Sequence, residues 1–277
     1  RFSQKHGFFE VPFALTLTTE TPNAEIRYTR DGTPPTATTG TVYEGPIGIS
    51  STAVVRAGAF ATGVVTDRVQ TQSYIFLNEV INQSGNGATP AGWPTGIVNS
   101  QVLDYQMDPE VTGDPRYASQ MKNSLLSVKT LSIVTDLDNF VDPATGIYVN
   151  ANRKGREWER PISLELIDPD GGDDFQVHAG IRIRGGWSRR GDNAKHAFRM
   201  YFRSEYGDSQ LRFPMFGDEG ADEFDKLDLR TSSDYSWSLG DEEHRVSFRS
   251  DGQGAGDAPK GGLLRGRSRV GAGRPAE

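Results

Sequence analysis

Along residues 2–76, apolar residues alternate with Thr, Ser and charged residues in short runs. Turn residues interrupt them every ~8–12 positions, the rhythm of a β-sandwich. "FALTLTTE" alternates, "EIRYTRDGTPP" joins a strand to an Asp31-Gly32 turn, and "AVVRAGAFA" predicts a further strand. Gly32 supplies the positive φ of a tight hairpin turn, and Pro34 and Pro35 stop the chain from continuing as a central strand. The prediction is a small antiparallel sandwich over residues 1–76.

Residues 77–125 have another texture. "FLNEVINQSGNGATPAGWPTG" predicts an irregular surface connection from its Gly, Pro, Asn and Ser content. "GDPRYASQMKNSLLSV" then carries a helix start, with Asp114 as cap and Pro115 in the first turn, and Tyr117, Met121 and Leu125 on one face. Met107 and Asp108 fall in a predicted loop.

From residue 126 a second β-rich stretch begins. Leu131 and Ile133 alternate before an acidic turn. Ile162, Leu164 and Leu166 alternate with Ser163 and Glu165, which predicts a half-buried strand with the last two facing out. In "HAGIRIRGG" the pattern sets Ile181 and Ile183 opposite Arg182 and Arg184. In "KHAFRMYFR" it sets His196, Phe198, Met200 and Phe202 opposite Lys195, Arg199 and Arg203. Two strands thus share an apolar and a basic face, joined by a connection of about nine residues, longer than the usual hairpin.

Composition narrows the classes. The 277 residues suggest about two domains. A formal charge of −7 leaves no surplus of cations for an extended polyanion surface, so nucleic acid is not an expected partner and any anion site must be local. The absence of cysteine excludes disulfides and thiolate chemistry from this sequence. No apolar run reaches the length of a membrane span. His178 and His196 lack a third ligand at metal spacing, so both are expected to be structural, with no metal site.

The segment "RIRGGWSRRGDNAKHAF", residues 182–198, holds the candidate chemistry. Its glycines let backbone approach an anion, Ser188 offers a hydroxyl, and Arg184, Arg189 and Lys195 offer charge-assisted hydrogen bonds. That inventory suits a nucleotide phosphate. It equally suits a solvated hairpin whose cations pair with Glu165, Asp192 or Glu205. Neither the Walker spacing nor GxGxxG is present.

Two resemblances extend these readings. Residues 8–76, with "IRYTRDGTPPT", Tyr43 to Ile47 as Y-x-x-P-I, and "VRAGAF", resemble the immunoglobulin-like sandwich at the C-terminus of chitobiases and β-hexosaminidases, also called GH29D-like. The resemblance implies an accessory module. Tyr28, Arg30 and Asp31 could form a sugar-contacting trio there, although a turn Asp and a strand Tyr are ordinarily structural.

"LSIVTDLDNFVDPATGIYVN", "GIRIRGGWSRRGDNAKHAFRMYF", "YGDSQLRFPMFGD" and "FDKLDLRTSSDY" resemble, in order and spacing, the N-terminal half of the spore-coat CotH kinase family over residues 131–237. These atypical protein kinases use ATP with Mg²⁺ or Mn²⁺. The resemblance implies an α+β kinase-like N-lobe in which Lys195 contacts phosphate, with Ser188, Arg189 and Arg184 as further nucleotide-binding candidates. A fixed cation near the γ-phosphoryl group would neutralise charge as it transfers. Phe198 and Phe202 are expected in the core rather than against adenine.

Residues 241–277 are dense in Gly, Arg, Asp and Pro with little apolar periodicity, so they are expected to be disordered. They match nothing in the family's helical lobe. The expectation is therefore a fragment, its frame lost near Gly240 or its gene truncated, with catalytic residues unknown and Asp234 and Asp241 given no role. The rival, a basic tail that grips nucleic acid, is diluted by Asp241, Glu242, Glu243, Asp251 and Asp257. The predicted organisation is a mainly β chain: an immunoglobulin-like sandwich at 1–76, a connector at 77–125, a partial kinase N-lobe at 126–240 and the tail. The implied function is ATP-dependent phosphorylation of protein hydroxyls at a bacterial surface or in secretion, inactive as this chain. The alternative is a non-catalytic adhesion protein that binds a glycan or another cell-envelope component.

Overall fold

The computed structural model describes residues 1–62, 69–83, 92–98, 101–102, 106–190, 196–217 and 220–230. Lys195, Asp234, Asp241 and the whole 241–277 tail lie outside the described residues. The protein is mainly β, with several sheets and a few short helices. It divides into two compact units: Arg1–Ile97, Val102–Asp142 and Ser163–Gln176 form one, and Val98–Gln101, Pro143–Ile162 and Val177–Glu277 the other.

In the first unit, β1 (Gly7–Phe9), β3 (Glu25–Thr29), β4 (Thr41–Val42), β6 (Ala53–Phe60) and β7 (Gln70–Phe76) form one sheet in the order β1-β7-β6-β3-β4. A second sheet pairs β2 (Phe13–Leu15) with β5 (Ile47–Ile49). Leu15, Ile47 and Ile49 from the small sheet and Val55, Ala57, Tyr74 and Phe76 from the large one fill a common core. Each of the Leu, Ile, Val and Phe side chains contributes roughly 1.5–3 kcal/mol by leaving water. The sandwich expected from the alternation is present, but it is not wholly antiparallel, because the edge strand β1 pairs with β7 in parallel.

Gly32 has φ 86°. A Cβ there would stand 2.6 Å from the Thr135 carbonyl oxygen, so the glycine serves close approach as well as turn geometry. The Asp31-Gly32 pair opens a long loop rather than a tight hairpin, because β3 ends at Thr29 and its antiparallel partner β4 begins only at Thr41.

The connector departs from its reading in two places. Leu77–Ile81, expected to be irregular, is the helix α1. The predicted helix start at Asp114-Pro115 belongs to Asp108-Pro109 instead: Asp108 accepts a hydrogen bond from the Glu110 amide at 2.9 Å and caps α2 (Pro109–Thr112). Asp114 spends its carboxylate on the Arg116 amide, 2.8 Å, and on the Arg116 guanidinium. That local turn competes with helix nucleation, and α3 begins only at Met121 (Met121–Leu126).

Ile97–Val98 (β8) and Gln101–Val102 (β9) are short extended pieces, and Thr130–Val134 (β10) follows. Asp138–Val141 forms α4. β10 runs antiparallel to β11 (Arg160–Ile167), with Ser132 opposite Glu165 and Val134 opposite Ser163. The half-buried reading of β11 is corrected: Ser163 and Glu165 are as buried as Leu164 and Leu166. Ser73 and His6, within the same unit, take up the Glu165 carboxylate that a one-faced strand would give to water.

The second unit is built on a hairpin of β12 (Phe175–Arg184) and β13 (Ala197–Tyr201), extended by β16 (Lys226–Leu229). The short strands β14 (Leu211–Arg212) and β15 (Glu223–Phe224) pair separately. In the hairpin, Ile181 faces Met200 and Ile183 faces Phe198, while Arg182 lies directly across from Arg199. Ile181, Ile183, Met200 and Phe202 are buried and Phe198 is half-buried. The predicted apolar and basic faces are both present.

Candidate functional site

The register of the β12–β13 hairpin creates an electrostatic problem at once. Arg182 opposite Arg199 places like charges across strands, which is unfavourable unless counter-charge is supplied. Two carboxylates supply it. Asp228, opposite Arg199 on β16, accepts from Arg199 Nε at 2.6 Å and from a terminal guanidinium nitrogen at 2.9 Å, and lies 2.7 Å from Arg184 Nε. These bonds hold the Arg199 guanidinium above its ordinary pKa despite partial burial. Glu159 accepts from Arg203 Nε at 2.9 Å and lies 3.3 Å from Arg182 Nε. Arg182 and Arg203 also stack on the Tyr201 ring, at 4.0 and 4.9 Å from its centroid.

The loop after β12 is fixed by its own side chains. Gly185 adopts φ 89°, and a 3₁₀ turn follows over Trp187–Arg189. The Ser188 hydroxyl donates to the Arg184 carbonyl. Arg189 donates to the carbonyls of Gly185 at 2.6 Å, Ala151 at 2.8 Å and Arg153 at 2.6 Å, and to that of Ile183. Burial and the nearby Arg182 push its pKa down, opposed by Tyr201, but an arginine stays charged in any such site. His196 Nδ1 meets the Ser188 carbonyl, and its ring packs on Tyr148 at 4.7 Å. Burial holds the His196 pKa down, against the pull of that carbonyl and with added repulsion from Arg189.

These elements border a cavity of about 300 Å³. Strand residues Arg182, Arg184, Arg199 and Tyr201 form one side, and Arg153, Lys154, Gly155 and Trp158 the other. Six of the lining residues are cationic, Arg153, Lys154, Arg182, Arg184, Arg189 and Arg199, so the chemistry the cleft offers is mainly charge and hydrogen-bond donation.

Of the four residues expected to bind nucleotide, Arg184 lines the cleft and is paired with Asp228. Arg189 touches the cleft while its donors go to backbone carbonyls, and Ser188 is buried within the loop. Lys195 lies outside the described residues. The carboxylates considered as loop counter-charges are employed elsewhere: Glu165 with Ser73 and His6, and Glu205 with Arg156. Asp192 lies outside the described residues. Sequence reasoning missed Arg153, Lys154 and Trp158. The available signal was "NRKGREW", a basic pair before a glycine just ahead of a strand.

Two other constellations resolve structurally. Asp31 accepts from the Thr33 amide at 3.0 Å and its hydroxyl at 2.6 Å, which closes the turn; these bonds outweigh partial burial and lower its pKa. Tyr28 packs against the sandwich core. Ser73, Glu165 and His6 lie together, but the Ser73 hydroxyl donates to the carboxylate rather than to imidazole, and all three are buried. That is not the order in which a nucleophile is activated.

Residues 15–74 match the family described as Fn3 associated, which covers the sandwich. No curated protein and no solved structure matches the chain.

Proposed function

We propose that the second unit is the phosphate-binding part of an atypical protein kinase of the CotH type. It would hold ATP for transfer to protein hydroxyls, at a bacterial cell surface or in secretion. The sandwich would be an accessory module of the chitobiase C-terminal, GH29D-like kind. The observation that carries the reading is the cationic cleft at the end of the β12–β13 hairpin, bordered by the segment whose motif suggested phosphate contact. Positioning and charge neutralisation dominate phosphoryl transfer, and arginine and lysine side chains supply both. Among the described residues no group of three or more His, Asp or Glu could hold an ion.

A second reading has its own support. Ser188 and Arg189 are used up inside the loop, and Arg182, Arg184 and Arg199 face carboxylates. That economy suits a non-catalytic envelope-binding or adhesion protein. Calorimetric titration of the full chain with ATP and Mg²⁺ or Mn²⁺, alongside Lys195→Ala, separates the two. Saturable binding weakened by the substitution supports the kinase reading. A folded chain that takes up no nucleotide removes it in favour of the envelope reading.

A further inference from the structure

The cations of the cleft fall into two sets according to what already holds them. Arg182 faces Glu159, Arg184 and Arg199 share Asp228, and Arg189 is surrounded by backbone carbonyls. Arg153 and Lys154 are different: both are exposed, and neither has a carboxylate partner among the described residues. Their backbone is nevertheless fixed. The Arg153 amide donates to the Asn150 carbonyl at 2.9 Å, the Arg153 carbonyl accepts from Arg189, and Gly155 at φ 105° turns the chain into the 3₁₀ turn Arg156–Trp158. The Arg153 guanidinium stands 5.8 Å from the Trp158 ring centroid. Two unspent charges thus project from a pinned loop that borders a cavity large enough for a phosphoanion.

We propose that Arg153 and Lys154 are the residues that grip the anionic group of the ligand, and that the site takes a phosphoanhydride, with pyrophosphate as its minimal unit. Arginine offers a planar fork and lysine a mobile point charge, a complementary pair for adjacent phosphates. The paired arginines across the cleft supply surrounding field and hydrogen bonds without having to abandon Asp228 or Glu159. Two sources carry this chemistry, the polyphosphate tail of a nucleotide and an inorganic polyphosphate chain. The inference deepens the kinase reading and rests on it only for the nucleoside half of the ligand.

The test titrates the full chain at low ionic strength with pyrophosphate, tripolyphosphate and ATP. It compares wild type, the double variant Arg153→Ala/Lys154→Ala, the single variant Lys154→Gln, and Arg156→Ala as a loop control already paired with Glu205. Melting curves establish that each variant is folded. Pyrophosphate affinity is expected to fall by about tenfold for each grip residue removed, from the strength of charge-assisted hydrogen bonds, with Arg156→Ala unchanged. Raising salt should weaken wild-type binding more than binding to the double variant. Binding of pyrophosphate and tripolyphosphate without ATP would end the nucleotide reading and leave the grip standing. ATP binding that the double variant does not alter would do the reverse. Failure of wild type to bind any of the three overturns the grip.

Discussion

His6 and Glu165 lie 159 positions apart in sequence, and the imidazole Nδ1 stands 2.8 Å from the carboxylate Oε1 in the interior of the first unit. Glu165 has no exposed surface and His6 has 6%. The same oxygen accepts from the Ser73 amide at 3.2 Å, the other oxygen accepts from the Ser73 hydroxyl at 2.5 Å, and Ser132 meets that hydroxyl at 2.8 Å. His6 Nε2 lies 3.2 Å from Asp174, which also binds Lys5. A buried carboxyl group is tolerable only when protein hydrogen bonds replace its hydration, and here both oxygens have partners.

Removing that carboxylate should therefore be costly. Glu165→Leu leaves the Ser73 amide and the imidazole buried without their acceptor, and should destabilise the protein by about 3–5 kcal/mol. Glu165→Gln retains an acceptor and should cost less. Urea unfolding of the two variants checks the order; a leucine variant as stable as wild type would show the network to be dispensable.

Arg189 makes a second prediction. Replacing it with Met keeps much of the buried stem but strips the donors from four backbone carbonyls. Loss of buried partners at about 1–3 kcal/mol each, partly recovered by water, should total about 3 kcal/mol. The melting temperature should fall by roughly 6–12 °C for a chain of this size. Arg189→Lys, with three donors, should lie between. A Met variant melting with wild type contradicts the structural role.

The third prediction concerns acid. The fold favours neutral His196, so its folded pKa lies below the unfolded value of 6.5. The stability this contributes is complete above pH 6.5 and disappears as pH falls below it toward the folded value. Urea midpoints at pH 7.5 and pH 5.5 should separate further for wild type than for His196→Gln, in which that proton cannot be taken up. Equal separations would show that His196 does not carry the effect.

Features controlled by near neighbours were legible in the sequence. The positive φ at Gly32 and the opposed faces of Ile181 and Arg182 follow from single residues and from the period of a strand. The burial of Glu165 was not legible, because its partners His6 and Ser73 are remote in sequence and alternation predicts a polar residue outside. The helix start was displaced because Asp108-Pro109 and Asp114-Pro115 carry the same signature. Only the hydrogen bonds show that one carboxylate caps a helix while the other closes a turn on Arg116. At the cleft, the motif in 182–198 drew attention to Ser188 and Arg189, whose polar groups the loop consumes. The basic pair Arg153-Lys154 before Gly155 was a local signal, but its place beside Arg182 and Arg184 depends on packing remote in sequence.

The Arg189 clasp also bears on the timing of recognition. It joins the carbonyls of Ala151 and Arg153 to those of Ile183 and Gly185, which ties both walls of the cleft together in the folded protein. An arriving anion would meet a surface already shaped and would not have to wait for a loop to close. Capture would then be governed by diffusion and the local positive field, with encounter rates that rise in dilute buffer, while residence time would reflect how quickly two exposed side chains let go.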